Sequence, residues 1–500
     1  MSSDTVHAAP RLNARALKHM AASVTVPRYD RARLRHGIVH LGIGAFFRAH
    51  GALYTEDVID PAAPDWGIVG ASLRKPDQRD RLAPQDGLYV ALERGGGPVS
   101  ARIVGNLRQV LVAPEDPAAL LARITAADTR IVSLTVTEKG YCHDPATGAL
   151  QQDHADIRYD LAHPEQPRTA VGFLVAALAA RRRAGLAPFT PLSCDNLPHN
   201  GRLLHGLLVQ FAALSDDALS AWIARDVPCP ATMVDRIVPA ATEADLTDAE
   251  AATGLHDAAP VSHEPFRQWV IEDRFVDGQR PPWQRAGAEL VTDVAPYETM
   301  KLRLLNGAHS ALAYLGFLGG CETIGEAIAD QGLRGLVARL WREEIIPVLP
   351  APPGVDLGAY TDQLMARFAN PAVRHRTWQI AMDGSQKLPQ RLLDTVRERR
   401  AAGLAYPCLA LVVAAWMRYV GGLDEQGRAI DVRDPLAAEL QGALRSAGED
   451  AGARVRAMLG FTAVFGADLG DDPAFVAAVS AAYRDLLRLG ALRAAAALAR

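Results

Sequence analysis

Short apolar runs alternate with amphipathic segments through the first part of the chain. The segment GIVHLG at 37–42 is short, apolar and closed by glycine, as expected of a buried strand. Similar runs are found at 66–73, 101–107, 130–136 and 189–194. Helix-like segments separate them, for example AALLARITAA at 118–127 and AVGFLVAALAARRRAG at 170–185. Strands that alternate with helices predict a mostly parallel sheet with helices on both faces.

The pattern changes near residue 295. Long segments rich in Ala, Leu and Arg follow, such as LRGLVARLWREEIIPVL, and strand-like runs nearly vanish. A chain of 500 residues is also longer than one hydrophobic core usually supports. The sequence therefore predicts an α/β domain over 1–294 and a mainly α-helical domain over 295–500.

The composition narrows the classes of partner. Hydrophobic residues make up 49% and charged residues 22%, and the net charge is −4, so the strong positive charge typical of nucleic-acid binding is missing. No run reaches the roughly 18 apolar residues of a membrane span, and the N-terminus lacks the apolar core of a signal peptide. We therefore expect a cytoplasmic protein that binds neither nucleic acid nor membranes, as a monomer or small homo-oligomer. The 5 scattered cysteines predict free thiols rather than disulfides or a metal site.

A glycine pair follows the first predicted strand. Gly42 and Gly44 are followed by Ala45 and Phe46, where a helix is expected to begin. Glycines let the backbone approach a pyrophosphate, and the free amides of a helix N-terminus face the anion. Phe47 stands where the complete GxGxxG motif has its third glycine. The position after the first strand favours a Rossmann-like dinucleotide site over a simple turn.

The end of the second predicted strand should carry the group that reads the ribose. Asp77 is placed to bind the ribose hydroxyls of NAD. Arg74 and Lys75 are placed equally well to accept the 2′-phosphate of NADP. The residues alone leave both cofactors open at this point.

One polar pattern opens the helical domain. Lys301, His309 and Asn306 fall at about 0°, 80° and 140° around an α-helix, so they can share one broad face. A lysine among apolar neighbours has a lowered pKa and can take a proton from an alcohol. An asparagine amide can donate to the developing alkoxide. Alone, such a trio is more often solvated or structural.

Other polar segments accompany this trio. Asn196, in SCDN, and Asp235, in MVDRI, each follow a short apolar run, where parallel strands present residues to a ligand crevice. The segments TEKGY at 137–141 and RTWQIAMDGSQK at 376–387 are dense in polar and aromatic groups.

Together these motifs resemble the mannitol dehydrogenase family of polyol-specific long-chain dehydrogenases. The resemblance runs from GIGAFFRAH through SCDN, MVDRI, KLRLLNGAH and DGSQK, which is nearly the whole chain. It implies a zinc-independent, NAD-dependent oxidation of a secondary alcohol. It also implies that Lys301 is the general acid/base, that Asn196 and Asn306 stabilise the alkoxide, and that His309 binds a substrate hydroxyl. Asp235 and Lys387 match positions that line the substrate site.

Within the family, TVTEKGYC, EPFRQWVIED and RHRTWQIAMDGSQKLPQRLL resemble the branch that interconverts D-mannonate and D-fructuronate. The mannitol branch tends to carry glycine in place of Lys139 and arginine in place of Gln379. Lys139 is the first candidate to bind the substrate carboxylate, with Arg376, Arg374 and Lys387 in reserve. Oxidation of a neutral polyol such as mannitol or arabinitol is the alternative. A structural or regulatory protein that binds the cofactor without turnover is a further alternative. The presence of Lys301, Asn196, Asn306 and His309 argues against it.

Overall fold

The structure is a computed structural model, and it describes residues 9–95, 97–145, 147–371 and 375–499. The chain divides into two compact units, Met1–Ala295 and Pro296–Arg500. Each unit is described by itself below.

The N-terminal unit is built from strands and helices in alternation. Its strands are β1 His36–Leu41, β2 Gly67–Ser72, β3 Tyr89–Glu93, β4 Ser100–Val104, β5 Leu107–Val112, β6 Ile131–Leu134, β7 Thr190–Ser193, β8 Thr232–Asp235, β9 Val261–His263, β10 Gln268–Glu272 and β11 Glu289–Val291. Its helices are α1 Ala45–Ala49, α2 Gly51–Val58, α3 Asp77–Leu82, α4 Pro117–Thr125, α5 Ala155–Ala162, α6 Ala170–Arg183, α7 Asn200–Ala213, α8 Asp217–Asp226 and α9 Glu243–Thr253. Short 3₁₀ turns occupy Ala16–His19, Arg31–Arg33, Ala83–Gln85, Glu138–Tyr141, Val276–Gly278 and Trp283–Ala286.

Five of these strands form one parallel sheet in the order β5-β2-β1-β6-β7. The chain runs outward from β1 through β2 to β5, then returns to the other side of β1 as β6. Loops after β1 and β6 therefore leave a crevice at the carboxyl edge of the sheet, which is where open α/β folds bind ligands.

The central strands are buried on both faces. Val39 and Leu41 of β1 pack on one face with α6 residues such as Phe173, whereas Ile38 packs on the other face with Leu53 of α2. Because side chains alternate along a strand, a run that is apolar at every position signals a sheet covered on both sides. The predicted α/β class is confirmed.

One predicted strand lies elsewhere. The run at 101–107 forms β4, which pairs antiparallel with β3 in a separate sheet of order β4-β3-β9. The outer strand of the parallel sheet is β5 instead, and the sequence did not single it out. Leu107, Val110 and Val112 are buried in β5, but Arg108 and Gln109 interrupt them, so the strand has no continuous apolar run. A third sheet has the order β11-β10-β8.

The C-terminal unit is helical, as predicted. Its α-helices are α10 Ala295–Met300 (which begins on the last residue of the first unit), α11 Gly307–Leu318, α12 Ile324–Ala329, α13 Gln331–Arg339, α14 Leu357–Phe368, α15 Thr377–Ala381, α16 Gly384–Leu388, α17 Asp394–Ala401, α18 Pro407–Val420, α19 Ala437–Ser446, α20 Ala451–Leu459, α21 Thr462–Gly470, α22 Pro473–Leu489 and α23 Ala491–Leu498. Three π-helical segments occur at Lys301–Asn306, Leu340–Ile345 and Pro389–Leu393, and a 3₁₀ turn at Ile346–Val348.

One hydrophobic core fills this unit. The helices α11 and α18 are buried along most of their length and cross its centre. The apolar run at 409–419 belongs to α18, and it packs Trp416 and Met417 completely inside the unit. No helix in the described ranges is long and apolar enough to cross a membrane.

Candidate functional site

Gly42 follows β1 and allows a close contact that a side chain would prevent. Its φ is +94°, and a Cβ added there would overlap the carbonyl oxygen of Thr135, just after β6. The Thr135 hydroxyl also donates to the carbonyl of Gly42 at 2.7 Å. The backbones of the loops after β1 and β6 therefore approach each other closely at the crevice, and this close approach explains the first glycine.

Gly44 faces open space. A Cβ at this position would meet nothing closer than the Gly42 carbonyl oxygen at 3.9 Å, and Gly44 itself is exposed. Helix α1 begins at Ala45, and no side chain caps its first amides. An open glycine next to uncapped amides fits a pyrophosphate, which needs close backbone approach and N–H donors.

Phe47 replaces the third glycine without disturbing this loop. Its ring is buried and stacks on His40 of β1, with ring centroids 3.3 Å apart and planes 7° from parallel. Burial lowers the pKa of His40 to about 3, so the ring is neutral. A Cβ on Gly51 would lie 2.9 Å from the Phe47 ring. The close packing of helix on strand is therefore achieved by Gly51 and the Phe47–His40 stack.

The ribose-reading position is exposed. Asp77 is the first residue of α3, just beyond β2, and it is exposed together with Arg74 and Lys75. The Ser72 hydroxyl holds this turn by donating to the Lys75 carbonyl at 2.6 Å. Asp77 is therefore accessible to a ribose hydroxyl, and Arg74 and Lys75 are accessible to a 2′-phosphate.

Asp195 fixes the loop that carries Lys139. It accepts the amides of Val136 and Thr137 at 3.0 Å each, and the Tyr141 hydroxyl at 2.8 Å. Burial raises the pKa of Asp195, while the Tyr141 hydroxyl and the two amides oppose that rise. Lys139 is exposed on the 3₁₀ turn that this network holds. Sequence reasoning quoted Asp195 only as part of SCDN and missed this role.

Asn196 is the next residue, exposed at the end of β7. Its neighbour Asn200, at the start of α7, is buried and ties two strand ends together. The Asn200 amide donates to the carbonyls of Asp195 at 3.0 Å and Thr232 at 2.8 Å, and its oxygen accepts the Thr232 amide at 3.0 Å. Asp235, also buried, ends the same strand β8 that Thr232 begins. Asn200 therefore links the segment that carries Asn196 to the first residue of β8, the strand that ends at Asp235.

Lys301 and Asn306 lie in a π-helical segment, not in the α-helix that the 100° spacing assumed. The Gly307 amide donates to the Leu302 carbonyl, a bond between residues five apart. Residues five apart then lie nearly above one another, so Lys301 and Asn306 come closer to one face than the expected α-helical separation of about 140°. Single turns of π-helix occur frequently at functional sites.

His309 is buried and neutral. It is 8% exposed, and burial is the main reason that its pKa lies well below the usual range. Charges of His375, Arg391, Arg367 and Lys301 lower the pKa further. Its Nε2 atom is buried with no hydrogen-bond partner in the described part of the chain. Buried polar atoms normally have a hydrogen-bond partner, so this ring nitrogen fits a site in which a polar group of a ligand is the partner.

Arg391 was missed by sequence reasoning. Its guanidinium donates to the Ser310 hydroxyl at 3.2 Å and, more weakly, to the Asn306 carbonyl at 3.5 Å. Its own carbonyl lies 3.0 Å from where a Gly307 Cβ would be. Arg391 belongs to the π-helical segment Pro389–Leu393, so two π-helical segments lie against each other here. In the sequence, the feature that could have indicated Arg391 is a cationic residue placed next to the apolar pair in PQRLL.

Lys387 and Arg376 have different surroundings. Lys387 donates to the Met382 carbonyl at 2.6 Å, and its ammonium lies 3.8 Å from Asp383. Burial and the nearby Arg391 lower the pKa of Lys387 to about 8. Arg376 is exposed, and its backbone carbonyl accepts the amides of Gln379 and Ile380 at the start of α15. Arg374 lies outside the described residues.

Lys301 is 6% exposed, and its charge is one of those that lower the pKa of His309. Family models with both folds match this chain: the mannitol dehydrogenase Rossmann domain at residues 36–285 and the mannitol dehydrogenase C-terminal domain at residues 293–487. The chain belongs to the mannitol dehydrogenase family.

Relatives in this family match over nearly the full length. D-Mannonate oxidoreductase of Escherichia coli is 47% identical over 95% of this chain and 98% of its own. Mannitol dehydrogenase DSF1 of Saccharomyces cerevisiae is 42% identical over 94% of this chain and 93% of its own. Among solved structures, the Pseudomonas fluorescens mannitol 2-dehydrogenase ternary complex with NAD and D-mannitol is 39% identical, with a TM-score of 0.87 over 98% of this chain and 99% of that chain. The protein is therefore an oxidoreductase of this family.

Proposed function

We propose that the protein oxidises D-mannonate to D-fructuronate with NAD, and catalyses the reverse reduction with NADH. The observation that carries this proposal is the buried segment in which Lys301 and Asn306 share a π-helical turn and His309 follows with an unpartnered ring nitrogen. The mannitol 2-dehydrogenase relative was solved with NAD, and the glycine loop of this chain fits the same cofactor. Residues 1–294 then hold the cofactor and residues 295–500 supply the acid/base.

The residues of the chain take separate roles in this proposal. Gly42, Gly44 and the first amides of α1 would hold NAD, which would supply the acceptor for the hydride of the alcohol carbon. Lys301 takes the proton from the alcohol oxygen as the carbonyl forms, and returns it in the reduction. Asn196 and Asn306 donate to the oxygen while it carries negative charge. His309 and Asp235 bind substrate hydroxyls. In this proposal, Lys301 rather than a zinc-bound water accepts and returns the proton.

Positive charge around the helical part of the site favours an anionic substrate. Arg391, Arg367 and Lys301 all lower the pKa of His309, which places His309 in the field of these cations. Such a field stabilises both a forming alkoxide and a bound carboxylate. Lys139 adds a cation on the loop that Asp195 holds, and the mannitol branch tends to carry glycine there. The similarity to D-mannonate oxidoreductase points the same way.

Oxidation of a neutral polyol is the second candidate, since the relatives include mannitol dehydrogenases and the well-matched solved structure holds D-mannitol. A panel of NADH oxidation rates with fructuronate, tagaturonate, fructose and xylulose tests the two directly. We expect fructuronate to give the largest kcat/KM, and NADPH to be a poorer cofactor than NADH. A larger kcat/KM with fructose would contradict the proposal and favour mannitol.

A substitution at Lys139 tests how the carboxylate is read. Lys139→Gly should lower kcat/KM for fructuronate by about 10–100-fold, the usual effect of losing a charge-assisted hydrogen bond. Any side activity on fructose should be nearly unchanged, and Lys139→Arg should recover part of the loss. Lys18→Gly, at another exposed lysine, is the matched control. Equal losses on both substrates would show that Lys139 does not bind the carboxylate.

A further inference from the structure

Trp341 is hydrogen-bonded to the backbone of the turn that carries Lys301. It lies in the π-helical segment Leu340–Ile345 and is only 3% exposed. Its indole Nε1 donates to the carbonyl of Leu304 at 2.9 Å. Leu304 lies inside the π-helical turn Lys301–Asn306. A side chain from a distant segment therefore holds the backbone of that turn.

The hydrogen bonds of the turn explain why a carbonyl here lacks an amide donor. The Gly307 amide donates to the Leu302 carbonyl, five residues back, whereas α11 begins at Gly307 with Asn306 as its N-cap. Amides in an α-helix donate four residues back. The change from five to four passes over one carbonyl between Leu302 and Asn306, which is left without an amide of the helix. Leu304 lies at the centre of this interval, and the indole supplies a donor there.

The ring of Trp341 also supports His309 through a second aromatic side chain. Trp341 faces Phe368 of α14, with ring centroids 6.2 Å apart and planes 25° from parallel. Phe368 in turn packs on His309, with ring centroids 4.6 Å apart. All three side chains are buried, and side chains in a close-packed core restrict one another's rotamers. Trp341 therefore contacts the π-helical turn directly and His309 through one intermediate.

We propose that Trp341 is a positioning residue, which holds the π-helical turn in the register that brings Lys301 and Asn306 to one face. Without the indole donor, an α-helical bond from the Ala308 amide satisfies the Leu304 carbonyl better. Lys301 and Asn306 then separate toward the α-helical angle of about 140°, and cannot both contact the same substrate oxygen. This inference rests on the proposed function only in taking Lys301 and Asn306 as catalytic residues.

The sharpest test removes the indole N–H and keeps the ring. Replacement of Trp341 by 3-benzothienylalanine puts a sulfur atom in place of the N–H, in a ring of nearly the same shape. We expect kcat to fall by about tenfold or more, since a misplacement of about 1 Å at a catalytic group can cost about 10²-fold. KM for the sugar acid should be nearly unchanged, because the ring still supports His309, and NADH affinity should also be unchanged.

Trp283 offers a matched control in the N-terminal unit. It is 1% exposed, and its indole donates to the Thr55 hydroxyl at 3.0 Å. The same replacement there removes a comparably buried hydrogen bond, so the melting temperature should fall similarly in both variants. Measured well below that temperature, kcat should fall only in the Trp341 variant. An unchanged kcat in the Trp341 variant, or an equal loss in the Trp283 variant, would overturn the proposal.

Hydrogen exchange gives a readout that needs no substrate. Amides in a peptide that covers 301–309 should exchange faster in the 3-benzothienylalanine variant and in Trp341→Phe, but not in the Trp283 variant. Trp341→Phe also loses ring area beside Phe368, so it should raise KM as well as lower kcat. Unchanged exchange in this peptide would overturn the role given to the indole. Normal turnover in Lys301→Ala would instead contradict the proposed function, so the two failures are distinguishable.

Discussion

The glycine loop after β1 and the lysine segment after α10 are built on different principles. Gly42 is required because two backbones meet, and its φ of +94° leaves no room for a side chain. Lys301 and His309 instead depend on what surrounds their side chains, since both are buried and one ring nitrogen has no partner in the described ranges. The first region is specified by local geometry, and the second by burial and charge from distant parts of the helical unit.

Because of this difference, substitutions in the two regions should affect different measurements. A change in the backbone-built loop should alter stability or cofactor binding. A change in the side-chain-built segment should alter turnover while cofactor binding stays intact.

The largest expected effect is at Lys301. Lys301→Ala should lower turnover by several orders of magnitude, because no other group in the proposal accepts the alcohol proton. NADH affinity, measured by fluorescence titration, should stay near that of the unaltered protein. Near-normal turnover at neutral pH would show that Lys301 is not the acid/base.

Asn196 and Asn306 test the two regions against each other, because one follows a strand of the sheet and the other lies in the π-helical turn. Each Asn→Ala change should cost about 10²-fold in kcat, the usual loss of one oxyanion donor. Asn→Asp should be worse at both positions, since a carboxylate repels the forming alkoxide. The measurement is steady-state kinetics with fructuronate, and unchanged rates in both alanine variants would refute the shared role.

The two glycines of the loop should separate stability from cofactor binding. Gly42→Ala places a Cβ against the Thr135 carbonyl at positive φ, so the melting temperature should fall clearly. Gly44→Ala has open space, so its melting temperature should be unchanged, while NADH binding weakens by about tenfold. If Gly44→Ala binds NADH normally, the pyrophosphate does not approach this glycine.

The smallest expected effect is a pH dependence from Lys387. Its pKa is lowered to about 8, so the ammonium loses its charge as the pH rises through that value. At one unit above the pKa about one tenth of these groups stay charged, and KM for fructuronate should rise several-fold. KM for fructose should not follow, and Lys387→Met should remove the difference. A rise shared by both substrates would exclude Lys387 as the cause.

Stability should respond to Lys387 in the same pH range with a defined sign. A folded-state pKa below the ordinary 10.5 of lysine means that folding favours the neutral form. Below about pH 8, Lys387 therefore lowers the free energy of unfolding. This destabilisation decreases as the pH rises from there toward 10.5, the ordinary pKa of lysine. It runs opposite to the loss of substrate affinity, so the two readouts are distinguishable.

Features that depend on local interactions could be predicted from the sequence. Continuous apolar runs predicted strands that are covered on both faces. The glycine pair after β1 predicted the position of the crevice, because the backbone φ and the room for a Cβ atom depend on one residue and its neighbours. The family motifs named Lys301, Asn306 and His309 as a group. The edge strand β5 was missed, since Arg108 and Gln109 interrupt its apolar residues and leave no continuous apolar run.

The surroundings of those residues depend on contacts between distant segments, which the sequence did not predict. Nothing local in LRLLN predicts a π-helical turn, which here lies against a second π-helical segment that carries Arg391. The clamp of Asp195 on Val136, Thr137 and Tyr141 joins residues more than fifty positions apart. The depressed pKa of His309 likewise comes from burial and from distant cations. The burial of a residue and the charges around it depend on which distant segments pack against it. The periodicity within one segment contains no information about that packing.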